Sequence, residues 1–255
     1  MAALTRFCPS VRNTLVLIRA MKICIVVPMY NEEKIAEASV NEIIGYAKKL
    51  PGFITVVAVN DGSTDKTGDI LEGLAVKYDN REFRFITSSI NRGYGGALKL
   101  GIGFAIENNY DYALFMDSDL TNHPKYLRNF YDKMSEGYDY IKASRYIKYG
   151  GTSGVPFKRR IISIIGNSIA KLVTRLPLKD FTNGFRAVKV NILKKIELKE
   201  DGYSVIIEEL KKVSKITNNF CEVPYILETR SKIAGSSKFN YNIVTFWNYA
   251  KYLFI

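Results

Sequence analysis

Histidine is nearly absent from this chain: His123 is the single one in 255 residues. That excludes a histidine-rich metal site and leaves one residue able to act as the base of a Ser-His pair. Cysteine is scarce too. Cys8, Cys24 and Cys221 lie far apart and are odd in number. Neither a disulfide framework nor a zinc-ligand spacing is present, and a reducing compartment is the default expectation. No uninterrupted apolar run reaches the roughly 18–20 residues that cross a bilayer. No segment repeats another, and no low-complexity linker divides the chain. Acidic residues are the minority charge, 25 Asp and Glu against 37 Lys and Arg, for a formal net charge of +12. A surface of that sign favours anionic partners, whether nucleic acid, acidic lipid headgroups or phosphorylated substrates.

At 47% hydrophobic residues, the chain is long enough for one large domain with a substantial core, or at most two. Its first twenty residues hold three Arg and no acid, as a targeting segment or an upstream extension would. We expect an extension over 1–21, because the apolar run Ile23–Val27 starts a strand immediately after it. The pattern then alternates. Buried strands are expected at Ile23–Val27, Ile54–Val59, Phe83–Thr87, Tyr112–Met116 and Tyr138–Ala143. Helices are expected at 33–50, closed by Pro51-Gly52, then at 65–79, 95–108 and from Pro124. Strands alternating with helices predict an α/β fold with a mainly parallel central sheet flanked by helices. The second half is less regular, with helices at 158–174, 203–216 and 241–254 and a strand at Phe220–Leu227.

In a sheet of this class ligands bind at the carboxyl ends of the strands, and the unusual residues stand there. Strand one ends in Pro28-Met29-Tyr30-Asn31-Glu32, strand two in Val59-Asn60-Asp61-Gly62-Ser63-Thr64-Asp65. The fourth ends in Asp117-Ser118-Asp119. Two carboxylates this close repel each other and are desolvated at a buried edge. A divalent cation relieves both costs, and hard oxygen ligands suit Mg2+ or Mn2+, which also take oxygens from a substrate phosphate. Asp119 could instead simply precede the helix at Pro124. Asn60 to Asp65 are also turn formers, with Thr64 or Asp65 placed to cap a helix. Asn91-Arg92-Gly93-Tyr94-Gly95-Gly96-Ala97 lacks the Gly-Lys-Ser/Thr of a P-loop and the spacing of a dinucleotide fingerprint. It reads as a tight strand-to-helix turn that a ligand could approach.

The motifs in this order resemble the family 2 GT-A glycosyltransferases, and among them the dolichyl-phosphate mannosyltransferase-like (polyprenyl-phosphate glycosyltransferase) branch. The match runs through Val27–Glu32, Val59–Thr67, Asn91–Ala97 and Asp117–Leu120. It continues through Ser144-Arg145, Arg159–Ser163 with Asn167, Asp180–Arg186, Gly202-Tyr203, Glu208-Glu209 and Gly235–Lys238, covering roughly 22–240. The resemblance implies that Pro28, Tyr30, Glu32, Val59 and Asp61 hold the nucleoside of a sugar nucleotide. Asp117 and Asp119 would hold the metal at its diphosphate, beside Ser118 and Thr121, with Arg230 and Lys238 closing over the phosphates. Arg145, Arg159, Arg160 and Ser163 would face the phosphate of a lipid acceptor, and Asp180 and Arg186 would lie near the sugar. The chain departs from the family pattern at Asn60, Thr121, Asn122 and Asn183, which bears on sugar and nucleotide identity more than on reaction class.

The expected activity is therefore inverting, metal-dependent transfer of a sugar to a polyprenyl phosphate. GDP-mannose is the first candidate donor, with UDP-glucose or a UDP-N-acetylhexosamine behind it. A phosphate acceptor is already an anion and needs cations rather than a base. A hydroxyl acceptor, the alternative, needs a base, for which Asp180 is the candidate. A non-catalytic nucleotide-binding module is a third reading, and a nucleic-acid binder a fourth that no motif supports. Segment 241–255 has apolar residues at helical spacing, suiting either core packing or a membrane interface. The expected setting is the cytoplasmic face of a membrane, peripherally bound, alone or with a membrane partner subunit.

Overall fold

Unbroken aliphatic runs must be buried on both faces, and the chain meets that demand with a sheet between layers of helices. The computed structural model describes residues 20–229 and 251–252, without the side chains of Lys158 and Arg159. Four strands come first: β1 (Lys22–Met29), β2 (Phe53–Asp61), β3 (Phe83–Ser88) and β4 (Tyr112–Phe115). They are joined by helices α1 (Ala36–Ala47), α2 (Thr67–Lys77) and α3 (Gly93–Glu107). A 3-10 turn at Pro124–Tyr126 leads into α4 (Leu127–Ser135), then β5 (Tyr140–Ser144), β6 (Gly151–Thr152) and α5 (Phe157–Thr174). The chain continues through β7 (Arg186–Lys189), α6 (Val190–Leu193), α7 (Val205–Val213), β8 (Phe220–Pro224) and β9 (Ile226–Leu227).

The main sheet has seven strands in the order β3-β2-β1-β4-β7-β5-β8. Only β7 is antiparallel, lying between β4 and β5. Because both its neighbours run against it, β4 and β5 point the same way. The carboxyl ends of β1, β2, β4, β5 and β8 thus open on one edge. Side chains of β1 alternate between two cores: Ile23, Ile25 and Val27 pack with α1, while Cys24 and Val26 pack with α3.

Several expected boundaries shift. The first helix starts at Ala36 rather than 33, since Asn31 takes a left-handed φ of 50° and turns the chain before it. The expected strand Phe220–Leu227 divides at Tyr225: β8 stays in the main sheet, while β9 leaves it to pair with β6. β7 was not expected at all. Of the segment 241–255 only Lys251 and Tyr252 lie among the described residues. Both are helical, and Tyr252 packs on the second core and donates to Glu200.

One close contact fixes how α3 sits on the sheet. A Cβ at Gly101 would lie 2.3 Å from Cγ1 of Val26, nearer than two carbons can come. Gly101→Ala is therefore expected to cost about 1–3 kcal/mol through overpacking, despite the higher helix propensity of alanine. Urea unfolding checks it: an unchanged midpoint would mean α3 can shift freely.

Candidate active site

The loops after β1 and β2 are stitched to each other by short polar side chains. Asn31 Oδ1 accepts from the Thr64 amide at 2.8 Å, and the Asn31 amide donates to Ser63 Oγ at 3.0 Å. Asp65 accepts from the Thr67 amide and hydroxyl through one oxygen and from the Glu33 amide through the other. The N-cap position of α2 is Lys66, with no side-chain capping bond, rather than Thr64 or Asp65; Asp65 instead makes an Asx turn just before the helix and ties in the β1 loop. Asp61 is 3% exposed and accepts from the Arg92 amide at 2.9 Å. Glu32 is buried, Pro28 and Tyr30 are half-buried at the end of β1, and Val59 is wholly buried inside β2 against α3. The Val59 side chain supports the strand end rather than lining an opening.

Asp117 and Asp119 follow β4 at the same edge. Burial and the neighbouring Asp119 charge push the Asp117 carboxyl up to about 7, while the Arg186 guanidinium and hydrogen bonds from Tyr94 and Asn122 pull it partly back. The Asn122 amide nitrogen donates to Asp117 Oδ2 at 2.8 Å. The Thr121 amide and hydroxyl both donate to Asp119 Oδ1, at 3.1 and 2.8 Å, across a left-handed Leu120 with φ 57°. Ser118 between the acids is buried. The Oδ1 of Asn122 is a buried oxygen with no hydrogen-bond partner. Two repelling carboxylates beside an unpartnered amide oxygen are hard donors that fit Mg2+ or Mn2+. Among the described residues no group of three or more His, Cys, Asp or Glu could hold a metal ion. An ion at Asp117 and Asp119 would therefore need further oxygens from its substrate or water.

The cationic side of the edge is built on Arg145, directly after β5. Its Nε and Nη2 donate to the two oxygens of Asp180 at 2.7 and 2.8 Å, and its amide donates there as well. Arg145 is 11% exposed and Asp180 0%. Asp180 is thereby an anchor for the guanidinium, and both its oxygens are occupied. Ser163, on the inner face of α5, accepts from the Tyr146 hydroxyl at 2.8 Å. Asn167 one turn on accepts from the Phe181 amide at 2.6 Å, tying α5 to the Asp180 loop. Arg160 is exposed on α5. Arg230, Lys238 and the side chain of Arg159 lie outside the described residues.

The loop 180–184 joins the acidic and cationic sides. Asn183 donates to the Ala143 carbonyl at 3.0 Å and accepts at its own carbonyl from the fully buried Lys142 at 2.6 Å. A Cβ at Gly184 would lie 2.8 Å from the Tyr94 hydroxyl and 3.7 Å from the Asp117 carboxylate, so only glycine lets the loop come this near. Arg186, which the resemblance sets near the sugar, is 0% exposed and lies beneath the site, in a bidentate pair with Glu209. Two contributors were not singled out from the sequence. Tyr94 bonds to Asp117 and stacks on Tyr203 with ring centres 4.6 Å apart. Lys142 holds Asn183. Tyr94 sits in a glycine-rich turn, and the signal was only that such a turn lets a ligand approach.

Comparison with known proteins agrees with this geometry. The model of glycosyl transferase family 2 matches residues 24–197. The chain is 28% identical over 222 residues to polyprenol monophosphomannose synthase of Mycolicibacterium smegmatis, covering 84% of this chain and 81% of that protein. It is 28% identical over 231 residues to dolichol-phosphate mannosyltransferase of Pyrococcus furiosus, 87% of this chain but 62% of that one. Undecaprenyl-phosphate mannosyltransferase of Micrococcus luteus is 26% identical over 227 residues, 88% of this chain and 90% of its own. In fold, the chain superposes on glucosyl-3-phosphoglycerate synthase of Mycobacterium tuberculosis, solved with Mn2+, UDP-glucose and phosphoglyceric acid. The TM-score is 0.64 at 19% identity, over 92% of this chain and 80% of that one. With its GT-A sheet and a family match across most of its length, the chain belongs to glycosyltransferase family 2.

Proposed function

We propose that the chain moves a sugar, mannose from GDP-mannose, onto a polyprenyl phosphate at a membrane surface, with inversion and with a divalent cation at Asp117 and Asp119. The observation that carries this reading is the Arg145–Asp180 clamp. A hydroxyl acceptor would need a base, and the candidate base has both oxygens bonded to Arg145. A phosphate acceptor needs a fixed cation, and a guanidinium held at two nitrogens is one. The names of the three curated relatives support the same acceptor class and the same sugar.

The chemistry divides between the two sides of the edge. Pro28, Tyr30, Glu32 and Asp61 hold the nucleoside at the ends of β1 and β2, where the stitched loops fix their positions. Asp117 and Asp119, oriented by Asn122, Tyr94 and Thr121, present the donor diphosphate with a cation, which when bound offsets the charge gathering on the leaving group. Arg230 and Lys238 are assigned to the donor phosphates. Arg145, with Arg159, Arg160 and Ser163, holds the acceptor phosphate so that its oxygen meets the sugar carbon opposite the leaving diphosphate. A single displacement of this kind inverts the anomeric centre.

The test is transfer of radiolabelled sugar into organic-extractable lipid from GDP-mannose, UDP-glucose and UDP-N-acetylglucosamine in parallel, with polyprenyl phosphate and Mg2+ or Mn2+. Label from GDP-mannose alone is the expected result. Label from a UDP-sugar corrects the donor. Metal-dependent donor binding with no lipid labelled from any donor sinks the acceptor assignment.

A further expectation concerns Tyr94. Tyr94→Phe keeps the ring against Tyr203 and removes the bond to Asp117. We expect Mn2+ affinity in the presence of GDP to weaken about tenfold, read by electron paramagnetic resonance titration. Unchanged affinity would make Tyr94 a packing residue only.

A further inference from the structure

One side chain beneath the sheet edge is chemically out of place. β5 lies between β7 and β8 and is buried along its whole length, a position that calls for aliphatic side chains. Its middle residue is Lys142, 0% exposed. The two buried acids of the neighbourhood are taken, Asp180 by Arg145 and Glu209 by Arg186. Burying an ammonium outside an ion pair is unfavourable. A methionine would fill the same space without that penalty, so the lysine needs a reason.

The strand register supplies one. Arg186 on β7 and Glu222 on β8 are the direct cross-strand neighbours of Lys142, so three charged residues form a row across the sheet. All three reach the same loop. Glu222 accepts from the Lys179 and Asp180 amides at 2.9 and 3.0 Å, Lys142 Nζ donates to the Asn183 carbonyl at 2.6 Å, and Arg186 Nη1 donates to the Gly184 carbonyl at 2.8 Å. That loop carries Asp180 at one end, which fixes Arg145, and at the other Gly184, which stands against Tyr94 and Asp117. Neutral bonds hold it too, from Asn167 to the Phe181 amide and from Asn183 to the Ala143 carbonyl. What an ammonium adds is a response to charge. Burial first, and then the Arg186 charge, pull it down to about 7, with Arg145 adding to the fall and Asp180 and Glu209 opposing it. Tyr140 from its own strand and Glu222 from β8 face the same side. Anions arriving at the edge favour the charged form, and a charged donor bonds a carbonyl more strongly than a neutral one.

We propose that Lys142 is a positioning residue of the transfer reaction: through the Asn183 carbonyl it holds loop 180–184 where the Arg145–Asp180 clamp faces Asp117, and it holds harder once anions occupy the edge. The site then tightens as it is loaded, with a proton drawn from solvent onto Lys142. This deepens the function proposed above and rests on that reading only for what Asp117 and Arg145 hold.

The experiment uses the full chain and Lys142→Met, which keeps the volume and removes both donor and charge. Urea unfolding at pH 6 and pH 9 checks that the variant folds. Its stability relative to wild type is expected to be higher at pH 6 than at pH 9. The burial penalty of the ammonium is fully present below its lowered pKa and fades as the amine loses its proton above it. Calorimetry of GDP and of UDP with Mn2+, at pH 7.5 in two buffers of unlike ionisation enthalpy, counts protons. Those that Asp117 gives up to the metal are common to both proteins, so the difference reports Lys142. Wild type is expected to take up more than the variant, by up to about one proton per nucleotide. With the donor that labels lipid, the variant's kcat is expected to fall about tenfold to a hundredfold while the donor KM changes less than about threefold. Equal proton counts overturn the proposal, as does an unchanged kcat. A variant less stable than wild type at both pH values makes Lys142 a residue of the fold alone, which overturns it too. If neither nucleotide binds the wild type, this inference falls together with the donor site. Where a nucleotide binds but no donor labels lipid, the proposed acceptor falls by itself, and the proton counts still decide Lys142.

Discussion

Asp119→Ala is expected to slow sugar transfer by about a hundred- to a thousandfold, with little change in stability. Asp119 is half-buried and accepts from the amide and hydroxyl of Thr121, two residues on, in the loop that follows β4, so its loss is expected to leave the strands of the sheet edge intact. What disappears is one of two carboxylates available to a cation. Asp117 behaves differently under the same logic. Burial and Asp119 raise its carboxyl to about 7, so between about pH 4 and 7 the folded chain holds a proton there that the unfolded chain has released. Stability then falls as pH rises through that window, and the cost is fully present above pH 7. Asp117→Asn removes the charge and so removes the cost. With a chelator at pH 8 we expect this variant to be more stable than the wild type by about 1–3 kcal/mol, the advantage vanishing near pH 4. It should be inactive at both. Urea unfolding at the two pH values reads this directly. A variant less stable at pH 8 would mean that the hydrogen bonds to Asp117 outweigh its desolvation, and that the acids are a structural pair rather than a poised cation site.

What could be read from the sequence was what is local. β1 and β2 are unbroken apolar runs followed by turn formers, so both the strands and the site at their ends were legible. Asp117 and Asp119 were legible for the same reason: two like charges at the end of a buried run need an explanation. The unread parts depend on partners far away in the chain. β7 is four residues long with a cation at each end, which resembles a surface loop until Glu209 is placed opposite Arg186. Asp180 stood out as an acid near the sugar, but its role is set by Arg145, 35 residues earlier. Tyr225 ends β8 because β6 is there to receive β9, which no local pattern states. α5 is the sharpest case. Its helical spacing was plain, yet Ile162 and Ile165 are each 55% exposed, where the default rule for amphipathic helices would have turned the isoleucines inward.

Glu209→Ala is expected to be the most destabilising single change in the chain's second half, at about 3–5 kcal/mol. Arg186 Nε and Nη2 each meet a Glu209 oxygen at 2.6 Å, Nη1 donates to the Gly184 carbonyl at 2.8 Å, and the guanidinium lies 4.4 Å from the Phe115 ring centre. Neither side chain is exposed at all. Truncating Glu209 leaves a desolvated cation without its carboxylate partner, and a domain whose whole stability is about 5–15 kcal/mol feels that strongly. The pair need not favour stability over an apolar alternative, since both ions were taken out of water to make it. The double variant Arg186→Met with Glu209→Leu separates the two ideas. If the uncompensated charge is what destabilises the single variant, the double variant recovers most of the loss in urea unfolding. If it stays as unstable as Glu209→Ala, the pair's geometry, not its charge, holds β7 in the sheet. In the recovered double variant Asp117 has lost the cation that lowered its pKa. Its carboxyl should then titrate at higher pH than in the wild type, which ties the buried pair to the acids above it.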